Sequence, residues 1–324
     1  MLDASVIICA HNPRSDYFAL VLDALRNQTL PLHRWELLIV DNASQVPLAS
    51  SWNLSWHPTV RHLLERELGL AYARLRGIQE ASADLIIFVD DDNVLDKEYL
   101  AEAIKVKQEW PFLGVWGSGS IRGDFEVEPR ETIRPWLVVR ELSAPLWSNL
   151  AGSLFFHGDA IPHGAGMCVR KDVAVAYHQF FDQSSLRITG RSGTSAGLGL
   201  EDTEICCICC RDGLGIGVFP ELKLTHLIPK HRVADDYIVR LAEGTYLASG
   251  LLQYKLQHVI PQSPISIKTL LSVLKTLLLY RGINRKIRFA WVRAMAKAHK
   301  IIKMDSRENN CRSAASAPAK VLSG

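Results

Sequence analysis

The N-terminal third of the chain alternates between continuous apolar runs and stretches in which apolar residues recur at helical spacing. This pattern predicts strands at 5–10, 35–40 and 85–89 and helices at 17–27 and 68–83. Continuous apolar strands separated by helices are typical of a parallel sheet that is covered on both faces. The sequence therefore predicts an α/β fold.

Polar residues follow each of these three strands. His11-Asn12 comes after the first strand, Asp41-Asn42 after the second, and Asp90-Asp91-Asp92-Asn93 after the third. Ligands of open α/β sheets bind beyond the carboxyl ends of the strands. We therefore expect a binding site where these residues meet.

The middle of the chain has a less regular pattern. A glycine-broken strand is predicted at 113–121, loop and helix at 129–145, and another strand at 163–169. Gly190–Gly199 is so rich in glycine that it predicts a flexible loop. A helix is predicted to follow it from residue 201 to residue 212.

The net charge of +3 conceals an uneven distribution of charge. Residues 265–304 contain ten Lys and Arg and no Asp or Glu, which leaves 27 basic against 34 acidic residues in the rest. Such a balance gives no indication of nucleic-acid binding.

Within the basic segment, the apolar residues that share one helical stripe are Ile287, Trp291, Met295, Ala298 and Ile302. A basic amphipathic helix favours an anionic membrane surface; packing on the main domain, on a partner or on a second subunit is the alternative.

No export-signal pattern is visible. The apolar stretch that most resembles a membrane span is interrupted by Lys268 and Lys275.

Seven cysteines, an odd number, argue against a disulfide framework. Four of them are close together, at Cys206, Cys207, Cys209 and Cys210. Only two or three could share a helix face, so we interpret them as buried packing residues rather than a zinc site. The expected location is the cytoplasm.

The acidic run at 90–92 carries the most informative chemistry. Adjacent carboxylates repel one another, and a hard divalent cation such as Mg²⁺ or Mn²⁺ relieves that repulsion. A solvated acidic turn is the simpler alternative. Neither a G-x-G-x-x-G motif nor a P-loop occurs in the sequence, so a bound diphosphate would need metal rather than a glycine cradle.

Five segments, in their order and spacing, resemble the family 2 glycosyltransferases over roughly residues 4–232. These segments are Ser5–Asn12, Leu37–Ser44, Gly69–Gly77, Ile86–Asn93 and Gly199–Glu204. The resemblance implies a GT-A-type, Rossmann-like single α/β domain with a mostly parallel mixed sheet. It also implies a nucleotide-diphospho-sugar donor, a Mn²⁺ or Mg²⁺ ion and inversion at the anomeric carbon.

We therefore expect a GT-A domain at 1–232, with a donor half at about 1–120 and an acceptor half at about 121–232. A helical, basic amphipathic and membrane-associating extension is expected at 233–305, and a flexible tail at 306–324.

The resemblance also implies how the donor nucleotide is bound. Asp41 would accept an N–H from the edge of the base, and Arg74 would lie beside the same base. The turn at Ala10 and His11 would pack on the face of the base. The family usually has Thr or Pro and Tyr around this turn, so the identity of the base stays open.

For the diphosphate end of the donor, the resemblance implies that Asp90 or Asp91 contacts the ribose. Asp92, the last acid of the D-x-D pattern, would hold the metal. His226 is similar to a late histidine that reaches the metal or the diphosphate in some members. A purely structural histidine is the alternative at this position.

Inverting transfer needs a base for the acceptor hydroxyl, and a carboxylate within hydrogen-bond reach suffices. Asp202 matches the position of that base in the resemblance, with Glu201 in reserve. The alternative for Asp202 is a helix cap, a position that favours Asp.

The predicted function is transfer of a sugar to a hydroxyl of a glycan or lipid-linked acceptor, at the inner face of the cell membrane. Cell-surface polysaccharide or glycoconjugate synthesis is the expected setting, and homo-oligomerisation stays open. A sugar-phosphate nucleotidyltransferase would show a glycine-rich loop after the first strand, and residues 10–14 contain no glycine. A catalytically inactive sugar-nucleotide-binding subunit is the other alternative, and the presence of Asp92 and Asp202 argues against it.

Overall fold

The structure is a computed structural model that describes residues 2–148, 158–192, 195–260 and 267–315. The described strands, in chain order, are β1 (Ala4–Ala10), β2 (Trp35–Asn42), β3 (Val60–Glu65), β4 (Leu85–Asp90), β5 (Asn93–Leu95), β6 (Leu113–Phe125), β7 (Arg140–Glu141), β8 (Leu146–Ser148), β9 (Cys168–Arg170), β10 (Gly190–Ser192), β11 (Ser195–Leu198) and β12 (Gly215–Ile228).

The described α-helices are α1 (Ser15–Arg26), α2 (Leu48–Ser51), α3 (Leu70–Glu80), α4 (Tyr99–Glu109), α5 (Lys171–Gln183), α6 (Glu201–Arg211), α7 (Asp235–Gln257), α8 (Ile267–Leu279) and α9 (Gly282–Ala315). Short 3₁₀ helices cover Leu32–Arg34, Arg134–Trp136, Gly158–Ala160 and Lys230–Val233.

One large mixed sheet carries the fold, in the strand order β3-β2-β1-β4-β9-β6-β12-β5. The first four strands of this order are parallel, so their carboxyl ends meet at one edge. β9 is antiparallel to both β4 and β6, and β12 runs parallel to β6. The predicted α/β fold is therefore confirmed, with the parallel half of the sheet carrying the three polar strand ends.

Both faces of the sheet are covered, which explains why its strands are continuously apolar. Along β1, Val6 and Ile8 belong to one core and Ile7 and Cys9 to the other. Helices α1 and α4 pack on the first face, and α3, α5 and α6 on the second. At Gly77 of α3, an added Cβ would lie 2.5 Å from Ile7 Cγ2, so this glycine permits the close approach of the helix to β1.

β12 is a long strand whose register with β6 shifts between Phe219 and Lys223. Beyond this bulge, β12 also pairs antiparallel with β5, and His226 lies opposite Asn93. Pro220 lies within the bulge, where its missing N–H costs no ladder hydrogen bond. This strand, which the apolar pattern does not predict, brings His226 next to the acidic run.

The described residues cluster into two compact units. The first holds the chain up to Gln183 together with Ile188–Ile238, and the second holds Ser184–Arg187 with the chain from Val239 onward. Within the second unit, Arg293 and Lys297 of α9 form ion pairs with Glu243 of α7. In the described part of the chain, no helix has both the length and the apolar content needed to cross a bilayer.

Three local predictions differ from the structure. The region predicted as a flexible loop contains the paired strands β10 and β11, and residues 193–194 lie outside the described part. Of the strand predicted at 163–169, only its end forms β9, because Met167 N–H donates to the Gly164 carbonyl in a turn. Helix α9 continues to Ala315, into the predicted tail, whose residues 316–324 are not described.

The apolar stripe of α9 is partly buried. Ile287, Ala298 and Ile302 are buried, with exposed fractions of 5% or less. Trp291 and Met295 of the same stripe are half-buried. Packing, the alternative for this stripe, therefore accounts for its three buried members. The exposed apolar surface lies instead on α8, where Leu271, Leu274, Leu277, Leu278 and Leu279 are all exposed.

Candidate active site

The acidic run lies at the carboxyl end of β4, as predicted, and its three carboxylates differ in environment. Asp90 and Asp91 are half-buried, whereas Asp92 is only 6% exposed. Burial, followed by the charges of Asp92 and Asp90, raises the pKa of Asp91 to about 8. The raised pKa thus reflects burial first and the neighbouring negative charges second.

Arg74 connects this strand end with helix α6. Its side chain is only 2% exposed, and its guanidinium lies 3.5 Å from Asp90 Oδ1 and 3.3 Å from Glu201 Oε1. Burial opposes the charged form, but Glu201 and Asp90 outweigh it and hold the pKa of Arg74 above its usual value. Arg74 thus bridges two carboxylates, and its predicted place beside the donor base stays a prediction.

Glu201 and Asp202 occupy the first turn of α6, directly after Leu200, whose φ of 87° lies in the left-handed region. Glu201 is 5% exposed and faces Arg74, whereas Asp202 is half-buried. Asp202 Oδ2 accepts the backbone N–H of Gly164 at 3.0 Å, and its Oδ1 accepts that of Thr203 at 2.7 Å. Backbone contacts therefore fix the Asp202 carboxylate at the same edge of the sheet as Asp90.

Asp92 and His226 come together as the β5–β12 pairing requires. Asp92 Oδ2 lies 3.7 Å from His226 Nε2 and 2.7 Å from Arg232 Nη1. The carbonyl of Asp92 also accepts the backbone N–H of Leu227 at 2.9 Å. Burial opposes the charge of Arg232, but Asp92 raises its pKa above the usual value.

The residues expected at the donor base lie at the ends of β1 and β2. Asp41 is 6% exposed, and its two carboxylate oxygens accept the backbone N–H groups of Ser44 at 2.9 Å and Leu48 at 3.0 Å. His11 Nδ1 lies 2.7 Å from the Asn42 carbonyl, and Ala10 pairs with Asp41 across the two strands. These contacts shape the loop after β2 and bring Ala10, His11 and Asp41 together.

A hard divalent cation fits the donor set at 90–92. Carboxylate oxygens are its preferred ligands, and Mg²⁺ in particular uses one or two of them together with substrate phosphates. Among the described residues, the side-chain amide of Asn93, which is 1% exposed, has no hydrogen-bond partner for either its nitrogen or its oxygen. Within the described ranges, no three His, Cys, Asp or Glu side chains form a closed metal cage. Asp92 and His226 are the residues that would hold the ion.

The sequence analysis did not predict two residues that contribute to the site, Arg232 and Gly164. Arg232 belongs to the basic run Lys230-His231-Arg232, which follows the strand of His226 closely and could have been noticed as a source of positive charge. Gly164 lies against the Arg74 guanidinium so closely that a side chain there would collide with it. The two closely spaced glycines, Gly164 and Gly166, are the sequence feature that could have indicated a close approach of a side chain at this point.

The cysteines of α6 are packing residues, as predicted. Cys206, Cys207, Cys209 and Cys210 are all buried and unbridged. Burial raises the pKa of the Cys207 thiol to about 12, which keeps it protonated and unreactive.

Comparison with known proteins assigns the class of this chain. The profile described as "Glycosyl transferase family 2" matches residues 5–174, more than half of the 324 residues. The chain therefore belongs to glycosyl transferase family 2 and is a glycosyltransferase.

Individual proteins also resemble this chain. The uncharacterized glycosyltransferase YfnE of Bacillus subtilis (strain 168) is 28% identical over 119 residues, which cover 36% of this chain and 30% of the relative. The match thus spans less than a third of that protein. The mannosyltransferase PcManGT from Pyrobaculum calidifontis, solved with GDP-Man and Mn²⁺, aligns with a TM-score of 0.54 and 16% identity over 91% of this chain and 86% of its own.

Staphylococcus aureus TarS, solved with UDP-GlcNAc, aligns with a TM-score of 0.48 and 13% identity, covering 94% of this chain and 92% of its own. The predicted GT-A fold is confirmed by the family match and by the mixed, mostly parallel sheet.

Proposed function

We propose that the chain is an inverting glycosyltransferase that moves a sugar from a nucleotide-diphospho-sugar to a hydroxyl of a glycan or lipid-linked acceptor. The observation that carries this proposal is the buried ion-pair network in which Arg74 joins Asp90 to Glu201. This network holds the β4 end, where a donor binds in such sheets, next to the first turn of α6. Asp90, on the side of the sugar donor, and Glu201, on the side of the sugar acceptor, are thus held together at one edge of the sheet.

On the donor side, Ala10, His11 and Asp41 would contact the nucleotide base, and Asp90 or Asp91 the ribose. A divalent cation held by Asp92 and His226 would stabilise the charge of the leaving diphosphate. A protein of the same fold binds GDP-Man and Mn²⁺, which supports this donor class. Arg74 is too buried for a base contact, so we assign it a positioning role between Asp90 and Glu201.

We assign the base to Asp202 rather than to Glu201. Glu201 is buried against Arg74, and an ion-paired carboxylate is a poor proton acceptor. Asp202 is half-buried and oriented by backbone N–H groups, so its carboxylate is both fixed and accessible. An oriented carboxylate near the acceptor hydroxyl is what general-base catalysis requires.

Substitution of Asp202 tests this assignment. Asp202→Asn should lower transfer by ~10²-fold or more, because the amide cannot take the proton, while donor affinity is retained. The measurements are sugar transfer across a panel of nucleotide sugars with Mn²⁺ and calorimetric donor binding. Asp212→Asn, at the exposed end of the same helix, is the matched control and should transfer normally.

Two results would contradict the proposal in different ways. Normal transfer by Asp202→Asn together with its loss in Glu201→Gln would make Glu201 the base. Failure of the wild-type chain to bind any nucleotide sugar would refute the donor class itself.

We further propose that the second unit attaches the enzyme to an anionic membrane surface, at the inner face of the cell membrane, through α8. Exposed leucines recur along this one helix, and Leu278 is 81% exposed. Lys275 lies on α8, and Arg281, Arg285 and Lys286 follow it closely, all exposed. Apolar side chains bordered by basic residues match the chemistry of an anionic bilayer surface. Vesicle flotation tests this attachment.

A further inference from the structure

Arg232 lies between the two side chains that would hold the metal ion. Its Nη1 is 2.7 Å from Asp92 Oδ2 and 3.3 Å from His226 Nε2. Those two acceptor atoms are 3.7 Å from each other. A single guanidinium nitrogen therefore contacts both side chains.

The tautomer of His226 makes this contact specific. His226 Nδ1 lies 3.3 Å from the Val138 carbonyl, which can only accept, so we assign the proton to Nδ1. The lone pair on Nε2 then faces the Arg232 guanidinium. A metal ion would use the same lone pair, since neutral imidazole nitrogen is the ligand form of histidine.

The backbone around Arg232 is held in place at the end of β12. Arg232 N–H donates to the Pro229 carbonyl at 2.9 Å, and Lys230 N–H donates to Glu126 Oε2 at 2.8 Å. The Arg232 side chain is 24% exposed, and that of Asp92 is 8% exposed. A charge-assisted contact in so buried a place is stronger than one at the surface.

We propose that Arg232 is a resident counter-cation that competes with the divalent metal for Asp92 and His226. This inference rests on the metal-dependent function proposed above. A metal ion gains these two ligands only by breaking the contact of Arg232 with both. The donor-free protein therefore binds the ion weakly, and Arg232 keeps the acidic site neutralised until a donor arrives with its own diphosphate.

Titration with Mn²⁺ alone tests the competition without relying on activity. Electron paramagnetic resonance measures free Mn²⁺ in the presence of full-length protein. Arg232→Gln should tighten Mn²⁺ binding by ~10-fold or more, because the contact of Arg232 with both Asp92 and His226 is removed. Lys230→Gln removes the same charge from the same 3₁₀ helix and should change Mn²⁺ affinity by no more than about twofold.

Arg232→Lys provides a second variant that retains the charge and loses the guanidinium. Competition for the two ligands predicts an intermediate Mn²⁺ affinity for this variant. Thermal unfolding of each variant confirms that it is folded before the comparison is made.

The outcomes separate this proposal from the one on which it rests. Equal Mn²⁺ affinity of wild type and Arg232→Gln, with normal binding of Mn²⁺ together with UDP or GDP, would overturn the role of Arg232 alone. Equal tightening in Lys230→Gln would also overturn it, since net charge would then be the cause. Absence of Mn²⁺ binding in every variant, with or without nucleotide, would refute the metal site itself.

Discussion

Arg74 is buried like a core residue and carries a permanent charge, a combination that is costly unless carboxylates surround it. Asp90 and Glu201 supply that compensation from two distant parts of the chain. Gly164 leaves the room that the guanidinium needs. At the scale of single residues, the candidate site is thus organised by one arginine that touches both the end of β4 and the first turn of α6.

Removal of Arg74 should lower the free energy of unfolding substantially. Arg74→Met leaves Asp90 and Glu201 without their common partner, and we expect a loss of ~3 kcal/mol in the free energy of unfolding. Arg76→Met on the same helix is the matched control. Its ion pair with Glu80 spans 2.9 Å with the arginine 39% exposed, so it should cost less than ~1 kcal/mol. Urea denaturation of both variants measures the difference, and equal losses would disprove the bridging role.

The sequence could predict which residue types gather at the sheet edge but not every partner they find. Asp92 and His226 each belong to a recognisable segment and lie 3.7 Å apart, while their role as metal ligands stays a prediction. Arg74 was placed on the right helix, yet its contact with Glu201 spans 127 positions along the chain. Helical periodicity indicates on which face of the helix a residue lies, but it does not identify a contact with a residue far away in the sequence.

At the scale of elements, the bulge in β12 connects the sheet to the site. The register of β12 with β6 shifts between Phe219 and Lys223, and the strand then pairs with β5. At Gly119 of β6, an added Cβ would lie 2.5 Å from the backbone carbon of Phe219. The close approach of two backbones at this point therefore requires glycine.

Substitution of Gly119 should disturb the bulge and, through it, the position of His226. Gly119→Ala places a methyl group against backbone that cannot rotate away, and we expect a loss of ~2 kcal/mol in stability. Gly217→Ala on β12 is the control, because its nearest atoms lie at 3.2 Å, and it should cost less than ~1 kcal/mol. Denaturation midpoints measure both effects. A Gly119→Ala variant as stable as wild type would show that the bulge tolerates a side chain.

The strands that the sequence predicts are those buried on both faces. β1, β2 and β4 read as unbroken apolar runs because helices cover each side of them. β12 escaped prediction, since its glycines, Pro220 and alternating polar residues resemble loop chemistry. Its pairing partners, rather than its own sequence, decide that it forms a strand.

At the scale of the whole molecule, charge and apolar surface are distributed unevenly along the chain. Residues 265–304 carry ten basic residues and no acidic ones, whereas the rest has an excess of acidic residues. The exposed leucines of α8 belong to this same basic segment. The two properties that favour an anionic membrane thus occur together in one part of the chain.

This distribution predicts how the protein binds vesicles. Binding to phosphatidylserine vesicles should weaken as salt rises, because each basic residue near the surface contributes ~1 kcal/mol that salt screens. Part of the binding should persist at high salt, since burial of leucine side chains is insensitive to screening. Leu274→Gln with Leu278→Gln should lower this residual binding by ~10²-fold, whereas Leu20→Gln, at the exposed Leu20 of α1, should leave it unchanged. Flotation of the full-length protein measures each case. Full binding by the leucine double variant would show that α8 is not the membrane contact, and equal binding to neutral vesicles would show that the basic residues do not contribute.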